Sequence, residues 1–232
     1  MAGSRLRILE EEVRRCTRCP LHATRTHAVP GEGPEEAGVM VVGEAPGRME
    51  DKLGRPFVGP AGKLLDSLLE LAGLSRSEVY ITNVVKCRPP GNRDPREEEI
   101  EACLPYLVEQ ISLIRPKLVI AVGRHAGRTI FRLASLRWPG LAKARGRAWR
   151  GRIGGVEVSI AVTYHPAAAL YNPGLRGELE KDFSDVIRRI VGEALSRGGG
   201  RGRIGGGLDR WLSPDPGGPG EGAGGDVDSQ GE

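Results

Sequence analysis

Aromatic side chains make up only 4% of this 232-residue chain, which holds three asparagines, two glutamines and six lysines against 28 arginines. Few deamidation-prone amides and charge kept as arginine are compatible with heat adaptation, as they are with a GC-rich genome. No run approaches the roughly 18 to 20 apolar residues that cross a bilayer, and residues 1–12 are charged without the apolar core of a signal peptide. A soluble, cytoplasmic protein without a membrane role is expected. The chain has four cysteines, and the expected intracellular setting argues against disulfides between them. The glycine-rich stretch after residue 42 has neither G-x-G-x-x-G nor a Gly-Lys-Ser/Thr ending, so it is not one of the common nucleotide-binding fingerprints.

The charge that is present is uneven. The chain carries a formal +4, yet residues 198–232 hold three basic and six acidic side chains, which leaves +7 on residues 1–197. A basic body suits a phosphate-rich partner, and a merely solvated basic surface explains it equally well. Four apolar, β-branched runs, at 39–43, 79–85, 117–123 and 156–164, read as buried strands. Helical patterns separate them: Leu64, Leu65, Leu68, Leu69 and Leu71 behind Pro60, then 96–114 and 124–133, with a first helix at 5–14 and a last at 175–195. Strands alternating with helices predict an α/β domain, a three-layer α/β/α sandwich around a central, mainly parallel four-stranded sheet. That domain is expected to fill residues 1–197. Beyond it, fourteen glycines and three prolines in the last 35 residues leave too little apolar surface to order a chain, so 198–232 is expected to be a disordered tail.

In a parallel α/β sheet, ligands collect at the carboxyl ends of the strands. Three such ends are chemically loaded. The first run leads into Gly43-Glu44-Ala45-Pro46-Gly47, then Glu50-Asp51 and Gly54-Arg55-Pro56-Phe57-Val58-Gly59. The second leads into Asn83-Val84-Val85-Lys86-Cys87-Arg88-Pro89-Pro90-Gly91-Asn92, and the fourth into His165-Pro166-Ala167-Ala168-Ala169-Leu170. Each alone has an ordinary explanation: a turn, a solvated carboxylate, a core phenylalanine, a hydrogen-bonded loop histidine. The signal lies in their combination.

That combination resembles family 4, the iron-sulfur branch, of the uracil-DNA glycosylase superfamily, over residues 5–195. GEAPG followed by ED and GRPFVG, then NVVKCRPPGNR, the four cysteines and HPAAAL carry the likeness. It departs at Ala167, where many superfamily members have serine. The resemblance implies a base-excision-repair enzyme that flips uracil out of DNA and hydrolyses its N-glycosidic bond, leaving an abasic site and free uracil. By the same likeness, His165 hydrogen-bonds uracil O2 as charge develops, and Glu44 positions or activates the water. Gly43 and Ala45 belong to the substrate-binding loop. Phe57 offers a stacking face, while Asn83 donates to O4 and accepts from N3–H, a pairing that cytosine cannot match. The family pattern puts on Glu50 the crowding of C5 against the thymine methyl, and Leu170 is the candidate wedge for the hole left in the base stack, with a core leucine at a helix start as its other reading.

Cys16 and Cys19 form a C-x2-C pair, and fifteen residues separate Cys87 from Cys103. From the residues alone, a redox pair or a structural zinc site stays open, although the second short C-x2-C of paired zinc knuckles is missing. The resemblance implies a [4Fe-4S] cluster on all four cysteines, in a structural role because uracil hydrolysis transfers no electrons. Two other functions stay open: a glycosylase of broader deaminated-base range, and a non-enzymatic iron-sulfur module that binds DNA. The expected partner is uracil-containing DNA, bound by a monomer. Within the tail, Leu208, Trp211 and Leu212 have the spacing of the apolar half of a sliding-clamp peptide, with Gly205 in place of the leading Gln. Lys86, Arg88 and the helix starts at Pro60 and Arg124 are candidate phosphate contacts.

Overall fold

The computed structural model describes residues 4–196, so the expected tail, with Leu208, Trp211 and Leu212, lies outside the described residues. The first helix, α1 (Arg5–Arg15), starts at Ser4, whose hydroxyl accepts from the Arg7 N–H at 3.3 Å, and ends with Arg14 and Arg15 at the negative end of its dipole. Leu6, Leu9 and Val13 recur at helical spacing and are buried as one stripe.

The sheet has five strands: β1 (Val39–Gly43), β2 (Val79–Asn83), β3 (Leu118–Val122), β4 (Trp149–Ile153) and β5 (Val156–Thr163), in the order β2-β1-β3-β5-β4. The four expected from apolar runs are mutually parallel, and burial of both their faces is why those runs are nearly continuous. The fifth, β4, lies antiparallel to β5 at the edge and corrects the expected count of four. Its sequence, Trp-Arg-Gly-Arg-Ile, buries only Ile153, so no apolar run announces it. Gly154 and Gly155, at φ 55° and 81°, supply the two left-handed residues of the hairpin turn.

Successive strand residues face opposite sides of the sheet. Met40, Val42, Tyr80, Val119 and Ala121 pack against α1, α4 (Glu97–Ile114) and α5 (Arg124–Leu133) in one core. Val39, Val41, Val79, Ile81, Leu118 and Ile120 pack against α3 (Pro60–Leu71), α8 (Gly174–Lys181) and α9 (Arg188–Ser196) in another. The three-layer α/β/α sandwich is thus as expected. Short helices α2 (Arg48–Leu53), α6 (Leu141–Ala144) and α7 (Pro166–Tyr171) complete the described chain. The single helix expected over 175–195 contains a π-helical turn at Asp182–Ile187, where the buried Asp182 carboxylate accepts from Arg145 Nε at 2.9 Å and from the Thr163 hydroxyl. Among the described residues no helix is long and apolar enough to cross a membrane.

Strand register sets the functional end of the sheet. Gly43 pairs with Asn83, and Val122 pairs with Thr163, so the loops after β1, β2 and β5 leave the sheet side by side.

Candidate active site

Those loops enclose a cleft of about 380 Å³ lined by Glu44, Ala45, Glu50, Phe57, Asn83 and His165. Asn83, the last residue of β2, is only 2% exposed, and its Oδ1 is the buried side-chain polar atom without a hydrogen-bond partner among the described residues. An unpaired buried carbonyl oxygen costs about 1–3 kcal/mol, so this atom suits an N–H donor brought into the cleft. Gly43 stands behind it rather than in the lining. A Cβ there would lie 2.3 Å from Asn83 Oδ1 and 2.6 Å from Phe57 Cζ, which only glycine avoids.

Phe57 has φ 48°, the left-handed region that a bulky residue rarely adopts. Three neighbours hold it there. Arg76 donates to the Phe57 carbonyl at 3.1 Å and the Pro56 carbonyl at 2.7 Å. Glu50 Oε1 accepts from the Val58 and Gly59 N–H groups, both at 2.9 Å. Helix α3 passes so close that a Cβ on Gly62 would fall 1.8 Å from the Phe57 oxygen. Glu50 therefore lines the cleft while one of its oxygens fastens the loop.

His165 precedes α7, and its Nδ1 accepts from the Ala167 N–H at 3.1 Å. That contact assigns the ring proton to Nε2. Burial pushes its pKa down to about 4, with Glu50 acting weakly the other way. At neutral pH the ring is uncharged and presents Nε2–H as a donor. It stacks on Phe57, with centroids 5.7 Å apart and planes inclined by 26°. Burial also pushes the Glu44 carboxyl above its ordinary range; His125 pulls it down, Asp94 pushes it up and Arg124 pulls it down. Leu170 is 46% exposed near the end of α7, so it is not the core leucine it could have been, and its neighbour Tyr171, 89% exposed, reaches the cleft wall.

The four cysteines line a second cavity, together with Val85, Lys86 and Tyr106. Cys16 and Cys19 follow α1, Cys87 lies after β2 and Cys103 is on α4. N–H groups point at their sulfurs: Arg25 Nη1 to Cys87 at 3.1 Å, the Lys86 amide to Cys103 at 3.3 Å and the Arg18 amide to Cys16 at 3.4 Å. Burial raises the Cys19 and Cys87 thiols and lifts Cys103 to about 11.

Lys86 corrects a sequence expectation. It is fully buried and cannot be a phosphate contact. Its Nζ donates to Thr82 Oγ1 at 2.6 Å, the Asn83 carbonyl at 2.7 Å and Gln110 Oε1 at 2.6 Å, and burial lowers its pKa to about 7. Sequence reasoning also left Arg76, Asp94, His125 and Tyr171 without roles, because they reach the site from other elements or sit in unremarkable sequence. Asn92 and Arg93 do stand in the cleft wall, at the end of the NVVKCRPPGNR motif, which was the only available signal for them.

Known proteins can be set beside this geometry. The family model described as the uracil DNA glycosylase superfamily matches residues 30–190. A type-4 uracil-DNA glycosylase of Pyrobaculum aerophilum is 48% identical over 209 residues, covering 90% of this chain and 98% of the relative. Type-4 uracil-DNA glycosylases of Saccharolobus solfataricus and Sulfurisphaera tokodaii are 51% identical over 192 residues and 52% over 179, covering 82% and 77% of this chain and 87% and 81% of theirs. With a superfamily match through the whole sheet and type-4 relatives of such identity across most of its length, the chain belongs to the type-4 group of the uracil DNA glycosylase superfamily.

Proposed function

We propose that this protein excises uracil from DNA by hydrolysing its N-glycosidic bond. The observation that carries this reading is the unpartnered, buried Oδ1 of Asn83 facing a cleft with an aromatic wall. Uracil offers N3–H to that oxygen and O4 to the amide nitrogen; cytosine offers the reverse pattern. A base inside a stacked duplex cannot reach such a pocket, so the nucleotide is extruded, with Phe57 stacking on it and exposed Leu170 entering the vacated space. The C1′–N1 bond then breaks with its electron pair going to uracil. Negative charge gathers on O2, where the neutral His165 donates from Nε2, while Glu44 orients the water whose oxygen bonds to C1′. The water gives up one proton and the uracil anion takes one up, so the products are an abasic site and uracil. Glu50, in the lining of the cleft, is the residue assigned on this reading to crowd C5 and so exclude the thymine methyl.

The cysteine cavity suits an iron-sulfur cluster better than one zinc ion. Thiolates in a tetrahedron around zinc, at about 2.3 Å, stand about 3.8 Å from one another. Among the described residues, the group of metal-ligating side chains gathered within 4.8 Å contains no cysteine, so these sulfurs are spread more widely. Cys16, Cys19, Cys87 and Cys103 would hold a [4Fe-4S] cluster that ties α1, α4 and the Asn83 loop together, a structural contribution with no step in the hydrolysis.

The test is an excision assay on single-lesion duplexes carrying uracil, cytosine, hypoxanthine or thymine. The parent is expected to act on uracil, and Asn83→Asp to lose about 100-fold on uracil while gaining activity on cytosine, whose amine a carboxylate can accept. A parent inert on uracil sinks the reading. Preference for hypoxanthine would favour the broader-range alternative.

A further inference from the structure

Glu44 has neighbours that the roles above leave unused. Asp94, in the loop before α4, and His125, in the first turn of α5, bring side-chain donor atoms within 4.8 Å of the Glu44 carboxylate and of each other. His125 Nε2 is 3.0 Å from Asp94 Oδ2 and 3.1 Å from Arg124 Nη2, and that guanidinium nitrogen is 3.7 Å from the same Asp94 oxygen. Other charged groups of the cleft are engaged elsewhere. Glu50 Oε1 is on the Val58 and Gly59 amides, and Arg93 makes a two-armed pair with Glu99 at 2.6 and 2.8 Å. His165 is neutral at working pH. The fixed charges that act on Glu44 therefore come from one cluster, built on two elements that contribute nothing else to the chemistry.

We propose that Asp94 and His125 are positioning residues for Glu44: the imidazole, oriented by Asp94, keeps the carboxylate ionised and directed at the water. This rests on the glycosylase reading and extends it. A carboxylate taken partly out of water favours its neutral form, whereas a cation within about 4–6 Å restores the charged one. His125, within 4.8 Å, and Arg124 beside it are the groups whose positive charge acts on Glu44 in that direction. Asp94 acts in both senses. It aims the ring through the 3.0 Å contact, and its own negative charge limits how far Glu44 is acidified. Direct side-chain bonding of Glu44 to either residue would block the water, and the observed spacing leaves the carboxylate oxygens free to hold it.

Single-turnover excision of uracil, followed from acid to neutral pH, separates this role from a merely structural one. Glu44→Gln should lose the acid limb altogether. His125→Gln should move that limb upward by about 0.5–1 pH unit, and Asp94→Asn should move it downward. His125→Lys, which keeps a positive charge, should return the limb to within about 0.3 unit of the parent. General loosening of the fold would not displace the limb in opposite directions. Both altered side chains are partly or fully exposed, so folding is expected to hold, and melting temperatures check it. Limbs that stay in place, or move the same way in both variants, in a protein whose parent is active, overturn the proposal. A parent without uracil excision overturns the glycosylase reading instead.

Discussion

His165 is held uncharged and in one tautomer by two different neighbours, the apolar face of Phe57 and the amide of Ala167. An unfolded histidine takes up its proton near pH 6.5, whereas the folded ring does so near 4, so between these values the unfolded chain binds more protons. Stability linked to the ring is complete above about pH 6.5 and is lost as pH falls through 4. Such a gap amounts to about 3 kcal/mol in full, and partial exposure of the ring reduces it to about 2. His165→Asn keeps a donor but has no titrating ring. It is expected to flatten the dependence of Tm on pH between 6.5 and 4, and to lower excision at neutral pH by about 100-fold. A parental slope in that variant would place the acid sensitivity in another group. Gly43 makes a second case at this scale. Gly43→Ala puts a methyl 2.3 Å from Asn83 Oδ1, and excision should fall by about 100-fold with melting lowered by only a few degrees. Equal loss of stability and activity would mean that the methyl disrupts the sheet, not the pocket.

At the scale of elements, the strained loop 54–59 shows how far the sequence could be read. GRPFVG marks Phe57 as part of the site, and nothing in it says that the residue adopts φ 48°. That conformation is imposed by Arg76, from before β2, and by Glu50, from α2. Arg76→Ala removes one of the three restraints, the two hydrogen bonds to the Pro56 and Phe57 carbonyls, and Phe57 should relax toward an ordinary conformation. The expected result is a KM raised about 10-fold with kcat changed less, measured with a uracil-containing oligonucleotide; a change in kcat alone would detach the loop from binding. The same contrast runs through the fold. Runs such as Val39–Gly43 are legible because both faces are buried, whereas β4 buries one residue and passes as loop. The cleft residues that stand at strand ends were legible by position and motif. Arg76, Asp94 and His125 were not, because what they do depends on which loop the fold brings next to them. Lys86 was misread for a related reason: a lysine between apolar residues looks like surface until its partners Thr82, Asn83 and Gln110 are seen to close around it.

Across the molecule, recognition and framework meet at residues 82–87. Lys86 fixes the Asn83 carbonyl with its side chain and contacts the Cys103 sulfur with its amide, and Cys87 follows it directly. Arg25 continues the link by donating to Cys87 and to the Arg14 carbonyl at the end of α1, while Arg18 covers the Tyr106 ring of α4 at 4.6 Å. With their pKa values raised by burial, Cys19, Cys87 and Cys103 stay protonated without a metal, and a bound cluster requires them as thiolates. Loss of such a cluster would therefore loosen the packing of α1 against α4 and lower the melting temperature. Cys103→Ser is expected to abolish absorbance near 400 nm and to lower Tm by about 10 °C or more. If the cluster is structural, as proposed above, the remaining folded fraction should excise uracil at a rate within about threefold of the parent when assayed well below the new Tm. Lys86→Met, by contrast, should keep the absorbance and weaken discrimination between uracil and cytosine, since it frees the Asn83 backbone without removing a cysteine. A colourless, iron-free parent with full activity and unchanged Tm would refute the structural role. A Cys103→Ser protein that stays folded but inert would place the cluster in the chemistry itself.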